Sequence, residues 1–119
     1  MNNIENLIGL IQQRAELFLK ENGEFAPFGA HVRSNGDIAD IASYAENASS
    51  EEMYNILLKG VEHDLQDEDV RASAIALDGR IDGKDVLVIE IFLSTEDKYQ
   101  AIYPYSIEDD KVTFDKRMQ

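Results

Sequence analysis

The stretch Val86 to Leu93, Val-Leu-Val-Ile-Glu-Ile-Phe-Leu, constrains the fold of this chain more than any other. It is the longest nearly unbroken run of β-branched and large apolar residues, and such a run reads as a strand at the centre of a sheet. At ~3.3 Å per residue it extends over ~26 Å. Burying its apolar side chains at ~1.5–3 kcal/mol apiece contributes roughly 10–20 kcal/mol before conformational entropy is charged, an upper bound. Glu90 interrupts the run, and a carboxylate there must face water or find a hydrogen-bond partner. A solvent-facing strand position is the plainer expectation.

The other elements follow from periodicity and punctuation. Ile4, Leu7, Ile8, Ile11, Ala15 and Phe18 recur at helical spacing opposite Glu5, Gln12, Glu16 and Lys20, which predicts an amphipathic helix over Asn3 to Glu21. Asn2 with Glu5 resembles a capping box, and Asn22-Gly23 supplies a helix stop. Phe25 to Val32 and Asp37 to Ala45 are short apolar runs joined by Arg33-Ser34-Asn35-Gly36. Asn-Gly predicts a hairpin whose two central residues both take positive φ. Pro27 places the start of the first strand at an edge or a bulge. Ser49-Ser50-Glu51-Glu52 opens a second helix with Met53, Ile56, Leu57, Val61 and Leu65 on its buried face, and the acidic turn Gln66 to Asp69 predicts fraying at its end.

From Val70 onward the chain reads as strands: Val70 to Asp78, Val86 to Leu93, Tyr99 to Ile107 and a weaker piece at Val112 to Phe114. A hairpin pairing Ile81 with Lys84 across Asp82-Gly83 sets Ala72, Ala74 and Ala76 beside Leu93, Ile91 and Ile89 on one face. The small alanines predict that both helices pack there. The expected architecture is therefore α+β, a single domain over residues 1–119 with one antiparallel sheet of about five strands and two helices on one face, in the order α-β-β-α-β-β-β. That order is similar to roadblock and profilin-like folds. The phrases Phe25-Ala26-Pro27-Phe28-Gly29-Ala30, Arg71-Ala72-Ser73-Ala74-Ile75-Ala76 and Tyr103-Pro104-Tyr105 resemble those of a small bacterial family of uncharacterised proteins, over roughly Phe18 to Tyr105. The resemblance implies a fold and a bacterial, cytosolic setting, and carries over no catalytic residue.

Charge narrows the partners. The 24 acidic and 11 basic residues give a formal net charge of −13, which repels phosphate backbones and anionic membranes and attracts basic protein surfaces. Neither nucleic acid nor membrane is an expected partner. The absence of cysteine removes disulfides and thiolate metal sites, and fits a reducing compartment. The N-terminal residues lack a basic signal segment, and Glu5, Asn6, Gln12 and Gln13 interrupt their apolar pattern, so a cytoplasmic location is expected.

The candidate chemical groups are few. His63 and Asp67 lie four apart beside Glu62 and Asp64, a spacing that could hold a divalent ion, but a solvated charged helix face is the plainer expectation. His31 reads as a surface imidazole at a strand end. Asp78-Gly79-Arg80-Ile81-Asp82-Gly83 looks like the start of a calcium loop, but Arg80 and Ile89 occupy positions that need oxygen ligands, so a hairpin turn is expected. Phe25, Phe28, Tyr99, Tyr103 and Tyr105 fit inward strand positions better than a stacking platform. No catalytic residue, metal or cofactor is assigned. The expectation is a non-enzymatic binding or regulatory module meeting a protein partner, another copy of itself included. An immunity-type protein that neutralises a basic toxin is one alternative, and an enzyme using Glu90 or His63 is the other. The expected interface is the second sheet face, carrying Ile75, Leu77, Val86, Val88, Glu90 and Phe92, provided that no third layer covers it.

Overall fold

The computed structural model of the chain describes residues 3–41, 49–94 and 96–118. Helix α1 spans Asn3–Asn22, strands β1 and β2 span Phe28–Arg33 and Ile38–Asp40, and helix α2 spans Ser50–Asp64. Strands β3 (Val70–Ile81), β4 (Lys84–Phe92), β5 (Lys98–Glu108) and β6 (Lys111–Phe114) complete the chain. All pairings are antiparallel, and the strand order is β2-β1-β3-β4-β5-β6. The fold is α+β, as expected. The weak piece near Val112 is a full sixth strand, and Val86 to Phe92 lies centrally, hydrogen-bonded to β3 and β5.

Local chemistry accounts for the register. Asp82 (φ 51°) and Gly83 (φ 80°) both take the left-handed conformation, so the two-residue turn pairs Ile81 with Lys84. That pairing propagates to Ala76 opposite Ile89 and Ala74 opposite Ile91, the expected register. The first hairpin turns differently. Only Gly36 (φ 91°) has positive φ in its loop, and the Gly36 amide donates to the Arg33 carbonyl at 2.9 Å while the Arg33 amide donates to Asp37 at 2.9 Å. A type I turn followed by a left-handed glycine therefore replaces the expected two-residue turn, because three residues rather than two separate the closing pair. Pro27 precedes β1 and needs no ladder partner there, and β1 is an inner strand.

Both helix caps near glycine or serine behave as their chemistry dictates. Gly23 (φ 75°) ends α1, its amide donating to Leu19 at 2.8 Å. Ser49 Oγ accepts from the Glu52 amide at 3.1 Å, and Glu52 Oε1 accepts from the Ser49 amide at 3.4 Å. The capping pair expected at Asn2 lies outside the described residues.

The helices do not share a face. Leu7, Ile8, Ile11 and Ala15 of α1 pack with Ala30, Ala72, Ala74, Ala76, Leu87, Ile89 and Ile91. Leu57 and Val61 of α2 pack instead with Ile41, Ile75 and Phe92, whose side chains leave the opposite side of the sheet. The expectation of two helices on the alanine face is corrected here. A 20-residue helix is ~30 Å long, and α1 alone reaches from β1 and β3 to β6. Strands β3 and β4 are apolar on both faces, so the second face needs a layer of its own, which α2 supplies. Gly29 permits the approach: a Cβ there would meet the Ala74 carbonyl oxygen at 2.9 Å and Leu57 at 3.4 Å.

Candidate functional site

Helix α2 occupies the face expected to be an open interface. Ile75 and Val86 are fully buried, Phe92 and Glu90 are 6% and 7% exposed, and Leu77 and Val88 are half-buried. The C-terminal segment runs along β5 as an extension of its edge, with amide bonds from Asp115 to Pro104 and from Met118 to Ile102, both 2.7 Å. The Met118 side chain is 52% exposed.

Glu90 does not face water; it is held by two donors. Tyr54 Oη, from the second turn of α2, donates to Oε1 at 2.5 Å, and Gln100 Nε2, directly opposite on β5, donates to Oε2 at 3.3 Å. Burial and then the bond to Glu90 push the Tyr54 hydroxyl pKa up to about 12. The carboxylate thus fastens α2 to the sheet at the middle of β4.

The other end of α2 is fastened by β1. His31 is 8% exposed, not a surface residue, and its Nδ1 donates to Asp64 Oδ2 at 2.9 Å. Its Nε2 and the hydroxyl of Ser73, its cross-strand neighbour, are buried without hydrogen-bond partners among the described residues. Serine, histidine and aspartate are the residue types of an acyl-transfer triad, but Ser73 makes no bond to the imidazole and lines none of the cavities described below. Arg33 Nη1 donates to Asp67 at 3.0 Å and to Asp69 at 3.3 Å, and Ser34 Oγ donates to Asp69. The Asp69 amide, then Arg33, holds Asp67 below the usual carboxylate range, and Ser34, then Arg33, does so for Asp69. The acidic turn expected to fray is therefore tied to β1. Asp67 is engaged by Arg33, and among the described residues no three metal-ligating side chains converge.

Two concavities open where α1 ends and α2 begins. One, of about 270 Å³, is lined by Phe25, Ser50, Glu51, Tyr54, Leu77 and Asp78, with Pro27 at its wall. The other is a wider groove of about 760 Å³ that shares Phe25, Pro27 and Ser50 and adds Phe18, Glu24 and Phe28. The rings of Phe18 and Phe25 each meet Phe28 edge-on, with centroids 5.4 and 5.5 Å apart. Both oxygens of Asp78 are engaged: Oδ1 accepts from Tyr105 Oη at 2.7 Å and Oδ2 from the Phe25 amide at 3.3 Å. Burial, then this bond, raises the Tyr105 pKa. Two further cavities lie beside Phe92 and Pro104, and neither Glu90 nor His63 lines any of the four.

Sequence reasoning missed Tyr54, Gln100, Asp64 and the role of Phe18. Tyr54 and Gln100 were legible in principle, since a carboxylate amid apolar residues demands donors, but the donor's identity depends on which face α2 covers. No family model, curated protein or solved structure matches this chain.

Proposed function

We propose that this chain is a small acidic binding module whose partner is a protein with a basic surface. The observation that carries this reading is the charge and its placement. Of the 11 basic residues, Arg14, Lys20, Arg33 and Arg80 are paired with carboxylates of the same chain, and the formal excess of −13 stands largely on the exterior. Such a field steers a cationic partner and repels phosphate backbones and anionic headgroups. The carboxylates drawn inward, Glu90, Asp64 and Asp78, are engaged in joining one element to another. Phe18 is an exposed large apolar residue lining the groove that Glu24 also lines, which suits a protein partner better than a small ion. A basic toxin is one partner of this chemistry, so an immunity role is a special case of the same reading.

The test is capture by the immobilised full chain from native lysate, followed by reconstitution with the purified captured protein. The expected partner has a basic isoelectric point, binds one to one, and weakens at least about tenfold between 50 and 300 mM salt. A stoichiometric complex that is neutral in charge and insensitive to salt overturns the proposal, as does the failure of any captured protein to form one.

A further inference from the structure

We infer that the groove between the end of α1 and the start of α2 is the seat for an arginine side chain of the partner. This rests on the basic-partner reading and locates it. The floor is aromatic: Phe18 is 38% exposed, Phe25 and Phe28 are half-buried, and the rings of Phe18 and Phe25 each meet that of Phe28 edge-on. A planar guanidinium stacks on the face of such a ring, whereas an ammonium is more strongly hydrated and loses more on entry.

The rim is acidic. Among the described residues, the exposed Glu24 and Glu51 carry no side-chain hydrogen bond or ion pair, and no lysine or arginine lines either concavity. Asp78 adds negative potential, and each of its oxygens already accepts one hydrogen bond. The first turn of α2 also faces this region, and its partial positive charge opposes a cation. That opposition is reduced by the Ser49 cap and by Glu51 and Glu52 in the same turn. A groove of about 760 Å³ exceeds what one side chain fills, so the flanking peptide of the partner lies in it too. The seat therefore takes a guanidinium with its plane on a phenylalanine ring and its N–H groups directed to Glu24 or Glu51.

The experiment is a titration of the isotope-labelled full chain with a capped nonapeptide of alternating arginine and glycine, and with its lysine counterpart, followed by amide NMR shifts at 50 mM salt. The expected shifts concentrate on Phe18, Glu24, Phe25, Glu51 and Tyr54, with the arginine peptide binding roughly threefold or more tightly than the lysine peptide. Glu24→Gln with Glu51→Gln should weaken binding about fivefold or more, and Phe18→Ala about threefold. A charge-matched pair away from the groove, Glu68→Gln beyond the end of α2 with Glu96→Gln between β4 and β5, should leave it within about twofold. If both pairs weaken binding equally, or the shifts gather at Asp67 and Asp69, the groove assignment falls while the basic-partner reading stands. If neither peptide binds, both fall.

Discussion

Removing the Tyr54 hydroxyl tests how α2 is held to the sheet. In Tyr54→Phe the ring keeps its packing beside Leu57 and Leu77, but Glu90, 7% exposed, loses its 2.5 Å donor and among the described residues retains only Gln100 at 3.3 Å. A hydrogen bond to a charged group contributes ~1.5–3 kcal/mol, and the half-exposed position of Tyr54 places the loss near the lower end, about 1.5–2 kcal/mol. With a urea slope of roughly 1–1.5 kcal/mol/M the midpoint falls by about 1–2 M at pH 7. The alkaline limb gives a second signature. The folded-state pKa of Tyr54, about 12, lies above the ordinary tyrosine value, so the folded chain keeps a proton that the unfolded chain has lost. That contribution is complete below about pH 10 and is lost as the pH climbs toward 12, so wild type and Tyr54→Phe should converge there. Urea denaturation at pH 7 and pH 11, with a cycle adding Glu90→Gln, measures both. A midpoint unchanged within about 0.2 M, or a coupling below about 0.5 kcal/mol between positions 54 and 90, refutes the reasoning.

Gly29→Ala places a methyl group 2.9 Å from the Ala74 carbonyl oxygen, a backbone atom that cannot step aside, and should cost about 1–3 kcal/mol in denaturant melts. Gly36→Val forces a β-branched residue to φ 91° and should cost ~1–3 kcal/mol, and an unchanged midpoint would mean that the turn is not as described. Absorbance titration of the five tyrosines should show a late component above the ordinary tyrosine range from Tyr54 and Tyr105, and Tyr54→Phe should remove the part near pH 12.

What the sequence disclosed depended on how local the cause was. Asp82-Gly83 sets the β3–β4 register by itself, and Ser49 with Glu52 caps α2 within four residues, so both could be read directly. The side of the sheet chosen by α2 could not, because periodicity says which helix face is apolar but not which sheet face receives it. The clue was in β4, where Val86 and Val88 on one face and Leu87 and Ile89 on the other are all apolar; a strand apolar on both sides asks for two layers. The burial of His31 is hidden from the sequence for a similar reason. Its partner Asp64 is 33 residues away, and a lone histidine in a strand gives no sign of burial until that contact is known. Asn35-Gly36 marks a hairpin but not its turn type, since Asn-Gly serves both a two-residue turn and a type I turn with a bulge.

The central claim is that this chain meets its partner through its acidic exterior and not through the face carrying Ile75 and Phe92. Sedimentation of the full chain alone at tens of micromolar, beside Phe92→Asp with circular dichroism on both, tests it most directly. Wild type is expected to be monomeric, because α2 closes that face and like charges repel, and Phe92→Asp is expected to unfold, because Phe92 is 6% exposed within the α2 core. A wild-type dimer that Phe92→Asp converts to a folded monomer would contradict the account.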